Sequence, residues 1–134
     1  RYESSAASDV YKRQDKEGRI ADSAKRDSVI CQVMAERALG LTTKRVVEES
    51  KMSGAPGAAT SIFKLVGSSL TKSGSELKSQ LRGTAGLVWD SEDFDQDELD
   101  STRGWLRDRA VTIYGGTNEV QQNIIAKRVL GLPD

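Results

Sequence analysis

The chain holds 134 residues, with 20 basic and 20 acidic side chains, one cysteine and no histidine. The missing histidine excludes a Ser-His-Asp triad, a Cys-His pair and an imidazole zinc ligand, and Cys31 alone excludes an internal disulfide or a four-cysteine metal site, so no metal is expected. Balanced charge and 5% aromatic content give no platform for nucleic acid, and no apolar run approaches the roughly 20 residues of a membrane span.

Residues 1–14, RYESSAASDVYKRQ, join no periodic pattern and read as a non-native or disordered leader. From about residue 15 to 51 the pattern is helical. Ile30, Met34, Ala38 and Leu41 recur at three and four and form the expected inner face. Cys31 lies among Val29, Ile30 and Val33, so a buried, inert thiol is expected. Ser53, Gly54, Ala55, Pro56 and Gly57 break the helix.

A second helix is expected over 58–81, with Ile62, Val66, Leu70, Ser73, Leu77 and Leu81 on one face. Its many serines and glycines make it a weak helix former that packing must hold. Residues 82–100 read as irregular. The acids Asp90, Glu92, Asp93, Asp95, Asp97, Glu98 and Asp100 lack the interior glycine of a calcium loop and read as a solvated loop. A third helix over 100–114 would turn Trp105, Leu106, Ala110 and Ile113 inward. Gly115 and Gly116 break it. A fourth follows Thr117, striped by Val120, Ile124, Ile125 and Val129, and stops at Gly131 before Pro133. The fold class is all-α: an antiparallel four-helix bundle over residues 15–134.

The segment with chemical content is Tyr114-Gly115-Gly116-Thr117-Asn118-Glu119. Two glycines between helices let a ligand approach the backbone. Thr117 is a plausible N-cap, and the helix start behind it carries partial positive charge suited to a carbonyl oxygen, enolate or phosphate. A plain inter-helix corner is the other reading of these residues.

Residues 113–133, IYGGTNEVQQNIIAKRVLGLP, resemble the C-terminal signature of acyl-CoA dehydrogenases. Arg103 to Ala110 and Ser61-Ile62-Phe63-Lys64-Leu65 resemble the same family. Gln80-Leu81-Arg82-Gly83-Thr84-Ala85-Gly86 resembles its glutamine-glycine motif, with Thr84 where a further glycine is usual. The resemblance covers residues 15–134. It implies a cytoplasmic, bacterial flavoenzyme that uses FAD to desaturate an acyl-CoA thioester and passes electrons to an electron-transfer flavoprotein. It implies cofactor contacts at Thr117, Asn118 and Glu119, and at Gln80, Gly83 and Gly86 toward a neighbouring subunit's FAD. It implies substrate contacts at Gly115 and Gly116, and a homo- or hetero-oligomer. Gly115 stands where many members carry the catalytic glutamate, so no catalytic base is assigned here. Glu119 matches a cofactor-touching position. The resemblance further implies a chain truncated on its N-terminal side and inactive by itself. A non-catalytic structural subunit or assembly module is the alternative, and a stand-alone helical binding bundle is a third reading.

Overall fold

The computed structural model describes residues 20–53 and 60–133. The leader, and the break expected at residues 54–57, lie outside them. Four α-helices follow in chain order: α1 (Ser23–Ser53), α2 (Thr60–Arg82), α3 (Gln96–Arg107) and α4 (Asn118–Ile124). Short 3-10 segments, Gly83–Leu87 and Asp108–Thr112, follow α2 and α3. A π-helical turn, Ile125–Val129, extends α4.

Helix α2 touches α1, both 3-10 segments, α3 and α4. Its cross-links show antiparallel neighbours. Toward α1, the Gln32 amide donates to the Leu70 carbonyl at 3.0 Å, while Leu39 lies beside Gly67. Toward α3 and the 3-10 segment after it, Arg82 donates to the Glu98 carbonyl, Arg109 to the Lys72 carbonyl at 2.9 Å, and Lys64 to the Val111 carbonyl at 3.1 Å. Gly67 and Gly74 sit where α1 side chains approach, so the small residues that weaken α2 as a helix admit its neighbour.

The core is thin. Val46, Leu77, Leu81 and Leu99 are its buried apolar residues, alongside buried Gln32, Ser68, Ser79, Arg82, Ser101, Thr102 and Gln121. Burying polar groups is tolerable only when they are hydrogen-bonded. Ser73 donates to Gln32 at 2.7 Å, Ser79 and Thr102 both donate to the Gly86 carbonyl, and Arg82 is paired with the Glu98 carboxylate at 3.4 Å.

The inner face of α1 corrects the sequence expectation. Gln32, Leu39 and Val46, at heptad spacing, face α2, while Ile30, Met34, Ala38 and Leu41 are exposed, Met34 at 65%. Cys31 is exposed too, not buried. A face carrying Gln32, Glu36 and Thr43 reads as solvent-facing, yet its polar groups bond across to α2 or back along α1. Along α2, Leu77 and Leu81 are buried as expected, but Val66 and Ser73 are exposed.

Helix α3 begins four residues before the expected start. Asp95 accepts from the Glu98 amide at 2.8 Å, and Glu98 accepts from the Asp95 amide at 3.3 Å, a capping box. Two of the acids assigned to a solvated loop therefore nucleate a helix. Arg103 holds the rest of the loop, stacking over Trp89 at 5.6 Å, donating to its carbonyl and facing Asp90 and Asp100. At its far end the helix tightens into 3-10 form rather than running to Tyr114. Leu106, Ala110 and Ile113 are exposed, and only Trp105 of the four expected inward residues is half-buried. Val120 and Val129 of the last stripe are likewise exposed, while Ile124 and Ile125 are half-buried.

The chain's end follows expected stop chemistry. The Leu130 amide bonds to the Ile125 carbonyl and the Leu132 amide to the Ala126 carbonyl, with Gly131 at φ +65° between them.

Candidate functional site

The turn between the second 3-10 segment and α4 is built by four residues. Gly115 and Gly116 adopt φ +70° and +92°, the left-handed region where L side chains are strained. Thr117 caps α4, its hydroxyl 3.4 Å from the Val120 amide. Buried Gln121 reaches back six residues, past the helix start, and donates to the Gly115 carbonyl at 3.2 Å. Its amide nitrogen passes 2.9 Å from where a Cβ on Gly116 would stand, while the positive φ of Gly116 is what calls for glycine there.

From α2, Ser68 donates to the Asn118 amide oxygen at 3.3 Å, and Lys64 donates to the Val111 carbonyl just before the turn. Lys64 and Ser68 are four apart, hence on one face of α2. A cavity of about 580 Å³ opens below, lined among others by Phe63, Lys64, Val111, Tyr114 and Gly115. A larger cleft of about 670 Å³ lies further along α2 and shares Gly67, Thr71, Arg107 and Asp108 with it, but only the smaller one reaches the turn.

Glu119 is exposed on the first turn of α4. Its own backbone amide donates to it, as does the Thr117 hydroxyl, and the Lys64 ammonium adds a weaker attraction; together these hold its carboxyl below its ordinary value. An acid on the first turn also suits the helix dipole.

The structure thus brings Gly115, Gly116, Thr117, Asn118 and Glu119 together. Gln80, Gly83 and Gly86 lie at the opposite end of α2. From Lys64 to Gln80 the helix rises about 24 Å at about 1.5 Å per residue. Gln80 and Gly83 are exposed, and Gly83 has φ +60°. Gly86 is buried, and its missing side chain has an internal cause: a Cβ there would stand 2.3 Å from the Ser79 carbonyl oxygen. Lys64, Ser68 and Gln121 were not among the expected site residues. The available signal was their polarity: two of them one turn apart on α2, and Gln121 one turn after Thr117.

This all-helical arrangement belongs to a known class. The description "Acyl-CoA dehydrogenase, C-terminal domain" matches residues 4–130, and the chain is a member of the acyl-CoA dehydrogenase family. The matched span takes in residues 4–14 of the leader. Acyl-CoA dehydrogenase IpdE1 of Mycolicibacterium smegmatis is 35% identical over 107 residues, covering 80% of this chain and 26% of that protein. IpdE1 of Mycobacterium tuberculosis is 48% identical over 58 residues, covering 43% of this chain and 14% of that protein. Acyl-CoA dehydrogenase FadE34 of Mycobacterium tuberculosis is 29% identical over 112 residues, covering 84% and 14%. A chain in the crystal structure of the ChsE4-ChsE5 complex from Mycobacterium tuberculosis superposes with a TM-score of 0.74 at 24% identity. That match covers 96% of this chain and 33% of the other, and shares the fold. The chain therefore spans about a quarter of the length of the first relative.

Proposed function

We propose that this chain is the C-terminal helical domain of an FAD-dependent dehydrogenase that forms the α,β double bond of an acyl-CoA thioester and passes electrons to an electron-transfer flavoprotein. The observation that carries the reading is the left-handed Gly115–Gly116 turn, capped by Thr117 and open to the cavity below. A thioester oxygen gains negative charge as the α-proton leaves, and a backbone N–H aimed at it stabilises that charge. Gly115 lets such an oxygen approach closely, since no side chain covers its backbone.

The residues fit a flavin at two separate places. Thr117, Asn118 and Glu119 form a polar helix start, and Gln80 with left-handed Gly83 forms an exposed corner. Their separation along α2 suits contact with two different cofactor molecules, the second belonging to a neighbouring subunit. FAD would supply the hydride acceptor for the β-hydrogen. Asn118 is oriented by Ser68, and the Thr117 hydroxyl is shared between Val120 and Glu119, so both enter contact already fixed.

A proton acceptor is still needed, and Gly115 has no side chain to provide one. In this reading the base comes from elsewhere in the whole protein. The exposed apolar face of α1 supports assembly into an oligomer, and a bacterial cytoplasmic location fits the relatives.

The test is to purify the full-length protein and follow flavin absorbance as acyl-CoA thioesters are added. Bleaching of bound flavin, then reoxidation by an electron-transfer flavoprotein, is the expected result. A protein that binds no flavin sinks the reading. The second reading, a non-catalytic subunit, is favoured by Gly115 itself. It predicts flavin reduction only after a homologous partner bearing a carboxylate is added.

A further inference from the structure

We propose that Lys64 is a positioning residue for the glycine turn: it anchors the backbone from which the turn departs and fixes a positive charge at the cavity wall. The proposal rests on the acyl-CoA reading of this site. Lys64 stands on α2, 47 positions in sequence from the carbonyl it bonds. Its ammonium donates to the Val111 carbonyl at 3.1 Å. Val111 lies in the 3-10 segment four residues before Gly115. The Lys64 Cε lies 3.9 Å from where a Cβ on Gly115 would stand, so the same side chain runs beside the turn.

The turn needs such an anchor. Two consecutive left-handed glycines have the widest conformational freedom of any pair. Their direction must come from neighbours rather than from their own sterics. Gln121 holds the Gly115 carbonyl from the α4 side. Lys64 holds the approach from the α2 side. A charged donor makes a stronger bond to a carbonyl than a neutral one. Carbonyls at the end of a helical segment also carry partial negative charge that attracts a cation. Lys64 lines the cavity together with Arg107 and Asp108, and its charge acts on Glu119. Losing Lys64 would free the backbone that leads into the turn while leaving α1 and the Arg82–Glu98 link untouched.

The experiment uses the full-length protein and three variants. Lys64→Met keeps length without charge or donor, Lys64→Gln keeps a neutral donor, and Lys64→Arg keeps both. Hydrogen exchange is read by mass spectrometry on peptides spanning residues 111–120. Lys64→Met is expected to speed exchange there about tenfold, as for the loss of one charged hydrogen bond, with α1 peptides unchanged. Lys64→Arg should stay within roughly threefold of the parent, since it restores a charged donor. Lys64→Gln should fall between, and it serves in place of Lys64→Met should that variant fail to fold. In parallel, kcat for acyl-CoA-dependent flavin reduction should fall about tenfold in Lys64→Met with KM little changed, because misaimed donors cost transition-state rather than ground-state binding. Unchanged exchange at the turn overturns the proposal. So does a uniform rise across the chain, which would make Lys64 a general stability residue. Should the parent protein accept no acyl-CoA, the functional reading falls, while the exchange comparison still decides the role of Lys64.

Discussion

Gly86 and Glu119 show how single residues carry different constraints. At Gly86 the Ser79 carbonyl occupies the space a side chain needs, and backbone cannot yield as a rotamer can. Gly86→Ala should therefore destabilise the fold by about 3 kcal/mol, at the upper end of typical overpacking costs, measured as a lower urea midpoint. Glu119 is constrained by charge. Its carboxyl titrates lower in the fold than in the unfolded chain, so its ionisation adds stability that is complete above the ordinary carboxylate range. That contribution is lost as pH falls through the lowered folded value. Glu119→Gln should flatten this part of the acid limb, read as a smaller drop in melting temperature between neutral and acidic pH. The Gly115–Gly116 turn and the Thr117 cap were legible because their geometry is local in sequence. Lys64 was not, because its partner Val111 is 47 positions away and only the fold brings them together.

Among the helices, α3 is the element whose start the sequence concealed. A run of seven acids looks like a solvated loop, yet only Asp90, Glu92 and Asp93 precede the helix cap. The Asp95–Glu98 box starts the helix within the run, since each acid satisfies a backbone donor that would otherwise be orphaned at the helix start. Asp95→Ala should cost about 1 kcal/mol, measured by chemical denaturation, with the loss falling on α3 and the loop before it. The existence and order of all four helices were readable from apolar spacing and from glycine and proline stops. Which face each helix buries was not. In α1 the inner face is half polar, and its fit to α2 depends on a glutamine bonding to a carbonyl 38 residues away. Periodicity ranks faces by hydrophobicity and cannot see such a bond.

Across the whole molecule, the exposed apolar stripe of α1 is the feature a lone bundle does not explain. Ile30, Met34 and Leu41 are each more than half exposed on one helix side. Contiguous apolar surface of this kind marks an interaction face. A Met34→Glu, Leu41→Glu double variant should shift the protein toward smaller species in sedimentation velocity without lowering its helix content by circular dichroism. The parent should sediment as an oligomer. An unchanged sedimentation profile would show that this stripe is not the assembly face.

The central placement of α2 has a kinetic consequence. It carries serine and glycine through its middle, so it gains little from forming alone, yet α1, α3 and α4 each pack against it. The outer helices have no common partner until α2 is helical, and α2 has little reason to be helical until they arrive. Such mutual dependence couples local ordering to global collapse. The described helices should gain structure in one concerted event, with few stable partial forms along the way. The residues that make α2 a poor helix are thus the ones that make the bundle all-or-none.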